Sequence, residues 1–120
     1  MLLIDQADDR RLRCRQELSR LWTLALSQDS GPVSLRASAL RDAVNAILGE
    51  VEAMGRTVLG GDGRLPPAAE TFLWVRVARL ATTADQVVDA ARRGDAAGLL
   101  AHLRHFETLM SALWTVQDAL

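Results

Sequence analysis

Lysine is missing from all 120 residues, although the chain carries 14 arginines. Without it there is no Walker-type phosphate lysine, no Schiff-base lysine and no Ser-Lys dyad. Cysteine occurs once, at Cys14. A single thiol excludes an internal disulfide and a thiolate-rich zinc site, and it fits a reducing compartment. Charge of one sign is not in excess either: 15 acidic residues against 14 basic ones leave a formal −1. Nucleic-acid binding domains are usually strongly basic, so nucleic acid is not an expected partner. No apolar run approaches the ~20 residues that cross a bilayer. The opening Met1-Leu2-Leu3-Ile4-Asp5 lacks the cationic start of a secretory leader. The expectation is a cytoplasmic protein without a membrane partner. Arginine in place of every lysine, with abundant Ala, Leu, Gly and Val, is the usage of a GC-rich bacterial genome.

What is present is a balanced globular composition, 49% hydrophobic and 24% charged, which separates the chain from disordered sequences. Its length suits a single domain, 1–120, whose folding hides roughly 65% of the unfolded surface without help from a staple. Helix-breaking residues gather in three places: Gln28-Asp29-Ser30-Gly31-Pro32, Gly60 to Pro67, and Gly94-Asp95. Between them lie four segments with apolar residues at alternating three- and four-residue spacing. The first runs Ile4, Ala7, Arg11, Cys14, Leu18, Leu21, Ala25, with Arg11 its one polar member. The second runs Val33, Ala37, Leu40, Val44, Ile47, Val51, Met54, Val58. The third is Leu73, Val77, Leu80, Ala84, Val87, Ala91, and the fourth Leu99, Leu103, Phe106, Met110, Leu113.

This period predicts helices over roughly 4–28, 32–59, 66–93 and 95–119, packed nearly antiparallel. Asp5 is the expected N-cap of the first, Pro32 the first residue of the second, and Pro66-Pro67 the opening of the third. Arg92-Arg93-Gly94-Asp95 combines a cationic C-terminus, a left-handed stop and the next N-cap. Links this short make neighbouring helices antiparallel. The predicted fold is an all-α, up-down-up-down four-helix bundle.

Four groups of residues could carry function. His102 and His105, three apart on one helix, have the spacing of metal ligands. Asp85 and Asp89 should be level with them across the hairpin and are the candidate third and fourth ligands. The bland reading is that His102 sits at the edge of the core and His105 near solvent. Arg10, Arg11, Arg13 and Arg15 form the densest charge cluster, a candidate anion or acidic-partner patch. They could equally be a solvated face balanced by Asp8, Asp9 and Glu17. Arg11 lies on the apolar seam, so it must either reach out of the bundle along its methylenes or pair with a carboxylate.

Trp74 and Trp114 lie 60 to 80° from the apolar centres of their helices and should be half covered. With Phe72 and Val75 they widen the apolar surface of the last two helices into a candidate interface. Alternatively the two indoles, level across the hairpin, stack on each other. A bundle of this length with an exposed histidine on a helix also resembles histidine phosphotransfer domains. That family places Lys-Gly shortly after the histidine, whereas His102 precedes Leu103-Arg104 and His105 precedes Phe106-Glu107.

Together these features predict a small, non-enzymatic interaction or regulatory module without a cofactor. It should act by pairing with itself as a homodimer or with another protein. A ligand- or metal-binding bundle using His102 and His105 is the alternative, and a phosphotransfer-like module a remote one.

Overall fold

A computed structural model describes residues 3–26, 33–59 and 67–119. They form four helices: α1 (Leu3–Leu26), α2 (Val33–Leu59), α3 (Pro67–Arg92) and α4 (Ala96–Ala119). These bounds lie within two or three residues of those set by the breakers. α1 already contains Leu3, so Asp5 stands inside its first turn and not before it, as an N-cap would. Pro67 opens α3 as expected, while Pro32 and Pro66 lie outside the described residues. No described helix is long and apolar enough to cross a membrane.

Neighbouring helices run antiparallel, as contacts between their opposite halves show. Arg13 in the first half of α1 meets Glu50 in the second half of α2. Gly55, late in α2, lies against Trp74, early in α3. Arg11 reaches Trp114 near the end of α4. Packing is most extensive between α3 and α4, α1 and α2, and α2 and α3, and among neighbouring helices it is thinnest where α4 closes back on α1. The chain is therefore an up-down-up-down four-helix bundle.

The core is the set of three-four stripes. From Cys14 to Ala25, Ala37 to Met54, Leu73 to Ala91 and Leu99 to Leu113, every apolar stripe residue is buried. The core is wider than the stripes, because a helix in a bundle touches two neighbours. Ala43, Val88, Ala90, Leu109 and Trp114 are buried beside them.

The α3–α4 link shows how three residues, Arg93, Gly94 and Asp95, reverse the chain. Gly94 has φ +70°, the left-handed conformation that costs any residue with a Cβ roughly 1–2 kcal/mol. There the Asp95 N–H donates to the Ala90 carbonyl at 3.0 Å and the Gly94 N–H to Ala91 at 3.2 Å. This pair of bonds is the Schellman arrangement, and it satisfies carbonyls that α3 would otherwise leave open. Asp95 then caps α4, its Oδ1 accepting from the Gly98 N–H at 2.9 Å. A Cβ on Gly98 would meet the Asp95 carboxylate, so a larger residue there would make the capping side chain shift.

Two substitutions test this link. Gly94→Ala should lower stability by about 1 kcal/mol through its φ, and Asp95→Ala by about 1 kcal/mol through the lost cap. The urea midpoint of each variant checks these values, with the m-value expected to stay that of the parent.

Candidate functional site

The histidines come first because they have the only ligand-like spacing. His102 is half-buried and His105 exposed, as the helical wheel predicts. Asp85 and Asp89 do not join them. Trp74 packs against Gly55 and so marks the edge of α3 that faces α2. Asp85, eleven residues further on, lies within about 20° of that edge at 100° per residue, and Asp89 turns about 40° further toward solvent. Thr83, Val87 and Ala90 are buried on the other edge, toward α4. Among the described residues no three His, Cys, Asp or Glu side chains form a group able to hold a metal ion. The expected ligand set is corrected accordingly: the hairpin makes the aspartates level with the histidines but turns them away.

The arginine cluster divides between two neighbours. Arg13 donates to both Glu50 oxygens, from Nε at 2.8 Å and from its η2 nitrogen at 3.3 Å, and Arg10 approaches the same carboxylate at 3.9 Å. Arg11 turns the other way. Its guanidinium lies 5.3 Å from the centroid of the Trp114 ring and donates to the Trp114 carbonyl oxygen at 3.1 Å. Arg11 thus takes the course of reaching out along the bundle surface, its methylenes over apolar side chains and its head on an aromatic face. Arg11 and Arg15 then line a groove of about 340 Å³ between α1 and α4, floored by Leu18, Met110 and Trp114 and rimmed by Glu107. The four arginines therefore do not form one patch.

Trp114 corrects the expected interface. It is only 5% exposed, lying on the edge of α4 that meets α1, beneath Arg11. Its Nε1–H has no acceptor among the described residues, a cost of about 1–3 kcal/mol that the ring's burial and the cation contact must exceed. Trp74, by contrast, is half-buried as expected. Its ring lies 3.3 Å from where a Cβ on Gly55 would stand, so the glycine admits the indole onto α2. The two tryptophans pack toward different helices and have separate roles.

Five threonine hydroxyls and the thiol are already committed. Thr23, Thr82, Thr83, Thr108 and Thr115 each donate to the carbonyl four residues back in their own helix, at 2.9–3.1 Å. Cys14 is fully buried, and desolvation, with Glu50 adding to it, pushes its pKa up to about 12. A protonated, enclosed thiol is not a nucleophile.

What remains exposed is one face of α3. Phe72 is 46% and Val75 53% exposed, and they are neighbours on one side of the helix. Leu12 and Leu26 are also exposed, but each lies alone, which is ordinary on a soluble surface. Val75 forms a ridge between two shallow grooves. One, about 440 Å³, runs along Trp74 and Ala78. The other, about 310 Å³, runs along Phe72, Arg76 and Arg79. The Arg76 guanidinium sits over the Phe72 ring at 4.3 Å. Sequence reasoning found Phe72, Trp74 and Val75 but missed Arg76 and Arg79, whose signal was their place one turn beyond Phe72 and Val75. No protein-family model matches the chain, and no curated protein or solved structure resembles it significantly.

Two measurements follow. Trp114→Ala should cost about 3–5 kcal/mol, as a large buried aromatic does, whereas Phe72→Ala should stay within about 0.5 kcal/mol; paired chemical melts distinguish them. Cys14 should resist iodoacetamide in the folded chain and react once it is denatured. Its folded pKa exceeds the unfolded value of about 8.5, so the neutral thiol's contribution is complete below that pH. It should decline as pH rises toward 12, giving the parent a steeper loss of melting temperature than Cys14→Ala across the alkaline range.

Proposed function

We propose that this chain is a non-enzymatic helical interaction module that docks a protein partner, or a second copy, on the outer face of α3. One observation carries the reading: Phe72 and Val75 are adjacent, exposed and set between two grooves, on a helix whose opposite face already serves the core. Burying two such side chains contributes roughly 1.5–3 kcal/mol each when covering is complete. Large apolar groups exposed together on a small protein mark contact surfaces. A non-enzymatic role is supported by the committed threonine hydroxyls, the protonated buried thiol and the dispersed carboxylates. The proposed setting is the bacterial cytoplasm, on the lone cysteine and the lysine-free composition.

The docking face is tested by placing a photo-crosslinking amino acid at position 75 in the source cell, with position 41 on α2 as an exposed control. Discrete protein adducts should form from position 75 and not from the control; equal labelling at both would remove the reading. Sedimentation at micromolar concentration adds a second check. Any oligomer should dissociate on Val75→Glu without a change in melting temperature, and one that survives would move the contact elsewhere.

A further inference from the structure

We infer that the occupant of the α3 face is an acidic amphipathic helix of another protein, not a second copy of this chain. The inference rests on the docking role proposed for that face and adds the chemistry of the partner. Taking Val75 as the outward direction, Phe72 lies about 60° to one side at 100° per residue, with Arg79 at about 40° and Arg76 at about 100° on that same side. Trp74 lies about 100° to the other side. The apolar ridge therefore has one cationic edge and one apolar edge.

The cations on that edge are available to a partner. Arg13, Arg20, Arg56 and Arg93 each have a carboxylate of this chain within 4 Å. Among the described residues Arg76 has only the Phe72 ring, and Arg79 has no carboxylate beside it. Stacking on Phe72 holds the Arg76 guanidinium at the rim of the groove, so little freedom is lost when it meets an anion. A helix laid along Val75 would place its apolar residues in the two grooves as ridges enter grooves. A row of Asp or Glu on its flank would then face Arg76 and Arg79.

A second copy fits this edge poorly. If two α3 helices pair antiparallel about a two-fold axis, like edges meet, and Arg76 and Arg79 of one copy stand beside the same residues of the other. If they pair parallel, the arginine edge faces Trp74 and Ala78. The nearest carboxylate at that end, Glu70, lies six residues or roughly 9 Å along the axis from Arg76. Neither arrangement neutralises the cations.

The test is a selection from a displayed library of amphipathic helices of about 18 residues, five turns, with randomised flanking positions, against the intact chain. Binders should be enriched in Asp and Glu along one flank. Their affinity should fall steeply with added salt, weaken at least tenfold on Arg76→Glu with Arg79→Glu, and be lost on Val75→Glu, while the melting temperatures of these variants stay near the parent's. Neutral or basic flanks among the binders, or unchanged affinity for the double variant, would overturn the acidic partner. A dimer in sedimentation that Val75→Glu dissociates, with no peptide selected, would also overturn it but leave the docking face standing. A monomer that selects no peptide and gives no adduct from position 75 would remove both.

Discussion

Each helix must bury one stripe at three-four spacing against its neighbours, and the rest of the molecule follows from meeting that requirement in so short a chain. A stripe of five to eight residues fixes which side of each helix turns inward, and the tight turn at Gly94 fixes direction. With both set, every remaining side chain has an assigned bearing. Asp85 and Asp89 illustrate the force of this. Their distance along the bundle suits the histidines of α4, but the inward turn of Leu80, Ala84 and Val87 sends them to the opposite edge of α3.

The one polar member of a stripe shows how the requirement is met where sequence departs from it. Arg11 occupies a position that elsewhere holds Leu or Val, at the seam where α4 closes on α1. A buried guanidinium would need a carboxylate. Instead the residue is half-buried, covering Trp114 and capping its carbonyl oxygen. The same contact explains why the indole can lie in the core without a hydrogen-bond acceptor: the ring is enclosed on its other sides, and the cation covers its exposed face. Arg11 thus links the thinnest seam to the largest side chain of α4.

The legible part of the fold was whatever depends on periodicity and on backbone punctuation. The stripes, the helix bounds to within two or three residues, the Gly94-Asp95 reversal, and the bearings of His102 and His105 follow from spacing alone. Harder to read were positions flanking a stripe, where burial depends on which neighbour lies on that side. Trp114 and Phe72 both sit beside their seams, yet one is buried against α1 and the other faces solvent. Single-helix wheels do not contain the identity of the neighbour. The Trp74 indole rests on Gly55, whereas Gly49 in the same helix has open space beside it, so a glycine within a helical pattern does not by itself disclose such a contact. The arginine cluster divides for the same reason that Trp114 is buried: each residue's surroundings depend on which helix lies on its side. Arg10 and Arg13 turn to α2, Arg11 and Arg15 to α4, and proximity in sequence did not become proximity in space.

Function in this molecule therefore has to be sought on surfaces that the core leaves over. The interior is filled by aliphatic side chains with Phe106 and Trp114, and its single thiol is sealed. Five threonine hydroxyls are bonded to carbonyls of their own helices. On the outside, most helical faces are polar, and several arginines are neutralised by nearby carboxylates. The outer face of α3 differs in its adjacent exposed apolar residues, and it sets two arginines beside them that lie outside those ion pairs. Helix packing alone does not require Phe72 and Val75 there, since alanine or glutamate would fold as well at such positions. Their presence is accounted for by a contact that the isolated bundle does not make.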